Sequence, residues 1–183
     1  MTEQREQNIE ELEKRVLEEQ ERVQGLIEKV GQSETLIRAD TPAKEALDEA
    51  AKIKRKFDES VKRLSQYKGY QETLAIGATP IPEVEDFQNK FGVRHRLWEI
   101  RHQFGDMQKR WYHENFRDQD ATLITTTVRE LSGELTKLKM KYRDGDEVLE
   151  AVSAEVGAVA KHSGLIAALG NPHMQEKHWV KVW

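Results

Sequence analysis

Six histidines are the first side chains to test for chemistry, because a neutral imidazole is the commonest metal ligand. In "NPHMQEKHW", His173 and His178 are five residues apart and so point to different faces of a helix. His95 and His102, seven apart, share a face but stand two turns from each other. His113 is followed by Glu114, yet no second histidine comes four residues on. None offers the i, i+4 pairing of a helical zinc site. The carboxylate clusters Glu18-Glu19, Glu83-Glu85-Asp86 and Asp144-Asp146-Glu147 fall at capping and surface positions. There they complement helix dipoles, whereas acid–base work needs a desolvated pair in a cleft. Thr122, Thr125, Thr126 and Thr127 begin a helix with no base beside them. There is no cysteine, hence no thiol nucleophile or disulfide. No phosphate-cradling glycine motif occurs either. The expectation is a chain with no catalytic residues, no cofactor and no metal, whose informative residues act by packing.

Composition narrows the class. Charged residues make up 34% of the 183 and hydrophobic ones 37%, a balance suited to long amphipathic helices. The net charge of −4 is spread over interleaved signs. No basic stripe argues for nucleic acid. No apolar run is long enough for a membrane span, and "MTEQREQNIEELEKR" is too polar for a signal peptide. A soluble intracellular protein is expected.

The elements that must position these residues are all helical. From residue 8 to 38, Ile9, Val16, Val23, Val30 and Ile37 recur every seven residues. Leu12 and Leu26 fill two of the positions three further on, while Glu19 and Ser33 interrupt that second line. β-branched a positions with leucine at d favour parallel two-stranded coils. The same stripe could instead pack on the next helix of its own chain. That helix is expected to open with Thr41 as N-cap and Pro42 as first residue, and to stop near Gly69. Its stripe is Ala43, Ala46, Ala50, Ile53, Phe57, Val61 and Leu64. Equal lengths and a short joint predict an antiparallel hairpin over residues 1–68.

Two prolines and two glycines mark 69–83 as a linker. Residues 84–183 then carry all four tryptophans and four of the five phenylalanines. A third helix spans about Glu83 to Glu114. A fourth, capped by Asp120, carries Ile124, Val128, Leu131, Leu135, Leu138 and Tyr142. Gly145 stops it and Asp146 starts a fifth, which holds Val148, Val152, Val156, Val159 and Ile166 and ends at Gly170. A short last helix follows Pro172 to the chain end. The predicted fold is all-α, a long antiparallel hairpin followed by a helical bundle.

The second half also carries a resemblance. "FGVRHRLWEIRHQFGDMQKRW", "NFRDQDATLI" and "VLEAVSAEVGAVAKHSGLIAALGNPHMQEKHW" follow in an order similar to the stem-to-linker region of dynein heavy chains. There a Leu-Trp helix precedes a bundle, and a segment of the type L-x-N-P-x-[LM]-x-x-R-H-W leads into the linker. The matching positions are Leu97, Trp98, Phe104, Trp111, Phe116, Leu169, Asn171, Pro172, Met174, His178 and Trp179. Lys177 stands where the family usually has arginine, which keeps the charge but loses the bidentate fork. Gly170 stands where a longer side chain is commoner.

The resemblance implies a non-catalytic mechanical segment between the ATP-driven ring and the tail, in microtubule-based movement. It implies the rest of the heavy chain as partner, with intermediate chains, light chains or a second heavy chain as candidates. Neither nucleic acid nor membrane is implied. The implied setting is the cytoplasmic cytoskeleton, with the ciliary axoneme favoured. The alternative is a coiled-coil adaptor or scaffold with no motor role. Trp179 is expected to bury against the fifth helix while His178 faces a polar neighbour. If the rings are core, loss of either the Trp98 or the Trp179 ring is expected to cost about 3–5 kcal/mol.

Overall fold

The computed structural model describes residues 2–142, 145–174 and 176–181. The fold is all-α, with no strand among the described residues. The chain forms two compact units, Met1–Arg96 and Leu97–Trp183.

The first unit is built on a hairpin of α1 (Thr2–Gln32) and α3 (Ala43–Thr73), joined through the single turn α2 (Glu34–Ile37). Three cross-links fix its direction. Arg5 bonds the Leu74 carbonyl at 2.9 Å, Glu19 meets Arg63 at 2.6 Å, and Lys29 meets Glu49 at 2.7 Å. One set of numbers rises as the other falls, so the pairing is antiparallel. The seam buries Leu12, Val16, Val23, Ile27 and Val30 against Ala46, Ala50, Ile53, Phe57 and Leu64. Alanines at two adjoining turns allow the backbones to approach.

Several local expectations need correction. The heptad run does not stay in one helix, because α1 ends at Gln32, and α2 then turns Leu36 fully into the core. Ile27 occupies the seam place expected for Leu26, which is half-buried. The N-cap of α3 is Pro42, not Thr41. Its backbone is extended at φ −60° and ψ 131°, and its carbonyl accepts from Ala46 N at 3.1 Å. Gly69 does not stop α3. The stop comes at Ala75, which sits in the left-handed region at φ 56°. Ile76 N bonds Gln71 O at 3.0 Å and Ala75 N bonds Glu72 O at 3.1 Å, closing a Schellman motif.

The Pro/Gly segment after this stop is tied down. Buried Gln71 donates from Nε2 to Thr79 Oγ1 at 3.0 Å and accepts from Thr79 N at 3.3 Å. The helix α4 (Pro82–His113) then stacks Phe87 on Phe57, with centroids 3.9 Å apart, and continues the stack through Phe91 and His95. The division between the two units falls inside α4, at Arg96/Leu97.

The second unit holds the rest of α4, the 3-10 turn Phe116–Asp118, α5 (Ala121–Lys139), α6 (Glu147–Ala160), α7 (Ser163–Leu169) and α8 (Glu176–Trp179). As expected, Asp120 and Asp146 cap α5 and α6, accepting from Leu123 N and Leu149 N at 2.9 Å each. The stripe Ile124, Val128, Leu131, Leu135 and Leu138 is buried throughout, and α5 packs on α6 and α7. Tyr142 lies beyond the end of α5, and Gly145, at φ 91°, lies in the connection. Asp144 and Trp183 lie outside the described residues. The expected fifth helix is two, α6 and α7, broken at Lys161 and His162.

Candidate functional site

The residues singled out by the sequence divide into two groups. Leu97, Trp98 and Phe104 are fully buried on the inner face of α4. Trp111, two turns after Phe104, is half-buried and meets its ring edge-on at 5.9 Å. Arg101 lies over the Trp98 ring at 5.4 Å and bonds Glu155 of α6 at 3.0 Å. This pair ties the Leu-Trp helix to the bundle.

The second group gathers at the end of α4. A helix end leaves carbonyls without partners. Gln119 supplies them, donating from Nε2 to Trp111 O at 3.0 Å and Glu114 O at 2.9 Å. Asn115 accepts from Arg117 N at 3.0 Å, shaping the 3-10 turn, and Asp120 then starts α5. These consecutive side-chain-to-backbone bonds present Phe116 and Arg117 to Trp179. The Phe116 and Trp179 rings are 6.2 Å apart and tilted by 57°, with the Arg117 guanidinium 5.1 Å from the Trp179 centroid.

The strand of chain after α7 is shaped in the same way. Asn171 accepts from His173 N at 2.9 Å through its side chain, and its carbonyl accepts from Met174 N at 2.9 Å. Pro172 occupies this turn and α8 follows. Phe116, Leu169, Asn171, Pro172, Met174 and Trp179 thus border one hollow of about 300 Å³. A neighbouring apolar hollow of about 320 Å³ lies among Trp111, Tyr112, Ile124, Val159 and Ile166, and Phe116 and Gln119 belong to both.

Trp179 therefore rests half-buried with Phe116 and Arg117 of the 3-10 turn as its ring partners, and Leu169, at the end of the expected fifth helix, borders the same hollow. His178 is half-buried and His173 exposed. Among the described residues no three of His, Cys, Asp and Glu gather to hold a metal ion. The arrangement joins an aromatic contact, a cation–π contact and two capped turns. Such an arrangement holds the 3-10 turn and the segment after α7 against each other.

Sequence reasoning missed Gln119 and Arg117. Asn and Asp announce helix caps by type, but a glutamine that closes a helix end from six residues beyond has no pattern of its own. Gln119 Oε1 is buried without a hydrogen-bond partner among the described residues.

The family described as "Dynein heavy chain, N-terminal region 2" matches residues 84–183, more than half of the chain. Over 108 residues the chain is 25% identical to dynein axonemal heavy chain 2 of Homo sapiens. Over 101 residues it is 22% identical to dynein axonemal heavy chain 2 of Mus musculus. These alignments take in 58% and 55% of the chain and 2% of each relative's length. No solved structure matches.

Proposed function

The chain belongs to the dynein heavy chain family, in its N-terminal region 2, and from that premise we propose that it is a non-catalytic mechanical segment. It passes force between the ATP-driven ring of its parent heavy chain and the tail, in microtubule-based movement. The observation that carries this reading is the corner. Phe116 and the segment Leu169–Trp179, some fifty residues apart in sequence, meet around one hollow, and the helix leading to it is anchored by fully buried Leu97, Trp98 and Phe104. A segment that bears load needs fixed angles more than it needs a cleft.

Within this proposal, the expected division into 1–68, 69–83 and 84–183 shifts with the helices: the stem-like hairpin runs to Thr73, the connection covers 74–81, and the segment from Pro82 onward is the start of the dynein linker. Leu97, Trp98, Phe104, Trp111, Phe116, Leu169, Asn171, Pro172, Met174, His178 and Trp179 are its family signature. Its partner is the rest of the heavy chain, and intermediate or light chains are candidates for the stem. The two relatives are named as axonemal, and the ciliary axoneme is the setting we propose here. No helix among the described residues is long and apolar enough to cross a membrane. The adaptor reading draws on the heptad stripe, whose residues Val16, Val23 and Val30 lie buried in the hairpin with α3.

The test is to replace residues 84–183 in the full heavy chain with a flexible Gly-Ser segment of equal length. Microtubule gliding should slow sharply while ATP hydrolysis continues. Gliding at the unaltered speed would refute the mechanical role.

A further inference from the structure

The α1 stripe could satisfy either of two partners, and the two exclude each other. Val16, Val23 and Val30 are the a positions that suit a parallel pair of α1 helices, and the same residues are buried against α3 in the hairpin. Apolar burial by itself does not choose between them. In the middle of this stripe, at a d position, lies Glu19, only 3% exposed. Its Oε1 accepts from Arg63 Nε of α3 and from Arg22 Nη1, both at 2.6 Å. Arg63 also donates from Nη2 to buried Ser60 Oγ at 3.3 Å.

We infer that Glu19, read by Arg63, selects the partner of the α1 seam: its own α3 rather than α1 of a second copy. In a parallel pair, d faces d, so two Glu19 carboxylates would meet inside the seam. Arg22 follows Glu19 into either arrangement, because it lies on the same helix. Arg63 belongs to the hairpin alone and is the discriminating residue. Even in the hairpin, Glu19 Oε2 has no hydrogen-bond partner among the described residues. A leucine in this place would cover more apolar area. A buried charge that gives up stability in one arrangement and more in the other acts as a selector, the best-attested use of buried polar groups in helical seams.

The experiment uses the full chain. It contains no cysteine, so a Glu6→Cys substitution on the exposed side of α1 gives a single site for pyrene. Sedimentation equilibrium measures association, and pyrene excimer emission reports two α1 helices side by side. Glu19→Leu should tighten self-association at least tenfold over the unaltered chain and produce excimer. Arg63→Leu loosens the hairpin but keeps Glu19, and should lower the melting temperature while tightening self-association far less than Glu19→Leu does. The inference is overturned if Glu19→Leu associates no more tightly than the unaltered chain, folded or not. It is equally overturned if Arg63→Leu dimerises as strongly as Glu19→Leu, because a loosened hairpin would then be sufficient.

Discussion

Gly170 lies directly against Ala121: a Cβ placed on residue 170 would overlap the Ala121 Cβ and sit 3.3 Å from the Ile166 carbonyl oxygen. The φ of Gly170 is −78°, so backbone freedom is not what requires glycine here. Space is. The chain leaving α7 crosses the first residue of α5 with no room for a side chain, which is a physical reason for glycine at this position. Gly170→Ala should destabilise the second unit by about 1–3 kcal/mol, the usual cost of overpacking. Adding Ala121→Gly should recover much of that loss. Urea unfolding of the single and double variants measures the coupling, and additive losses would show that the two residues do not compete for space.

Ala75 adopts φ 56° at the residue after the α3 C-cap, the place where glycine is commonest. A Cβ in the left-handed region costs about 1 kcal/mol or more, while glycine adds some entropy to the unfolded chain. Ala75→Gly should therefore be neutral or stabilising, by up to about 1 kcal/mol. Thermal melts of the two chains compare them. A clear loss of stability would mean that the Ala75 methyl makes contacts worth more than the strain.

What was legible in the sequence was what one helix can state alone. The α5 stripe repeats every three or four residues, and all five of its apolar positions from Ile124 to Leu138 are buried. Asp120 and Asp146 cap by chemistry that is local to four residues. The breaks at Ser33 and at Lys161–His162 were not legible, because apolar spacing continues across both and the turns serve tertiary burial, as with Leu36. Gly69 misled for the opposite reason. It is exposed in the last turns of α3, where glycine costs only about 1 kcal/mol relative to alanine, too little to end a helix held by its neighbours. At the corner, Trp179 was visible by type, but its setting on the Phe116 turn depends on Gln119 closing α4.

Glu49 ties α3 to α1 through Lys29 and lies 3.7 Å from Lys52. Its carboxyl is held below the ordinary value of 4.5, chiefly by the hydrogen bond from Lys29, with desolvation opposing. A depressed folded-state value means that the contribution is complete above 4.5 and is lost as pH falls through the folded value. Glu49→Gln should cost less than about 1 kcal/mol at neutral pH, as expected for a partly exposed pair. Its urea midpoint should converge with that of the unaltered chain in acid. A difference that stayed constant across the acid range would remove the ion pair as its cause.

Equal losses at Trp98 and Trp179 were expected if both rings are core, and of the two Trp98 is the fully buried one. Trp98 is fully buried on α4 beneath Arg101, so Trp98→Ala leaves a large cavity and should cost about 3–5 kcal/mol. Trp179 is half-buried on α8, held by a tilted contact with Phe116 and by the Arg117 guanidinium. An aromatic pair and a partly exposed cation–π contact together suggest about 1–2 kcal/mol for Trp179→Ala. For a chain of this size the two losses correspond to melting shifts that differ by several degrees. Helical content by circular dichroism should stay near the unaltered level in Trp179→Ala, because the residue ends a four-residue helix and supports no longer one. Equal shifts for the two variants would mean that Trp179 is as deeply seated as Trp98, and that the corner is part of the core rather than a joint beside it.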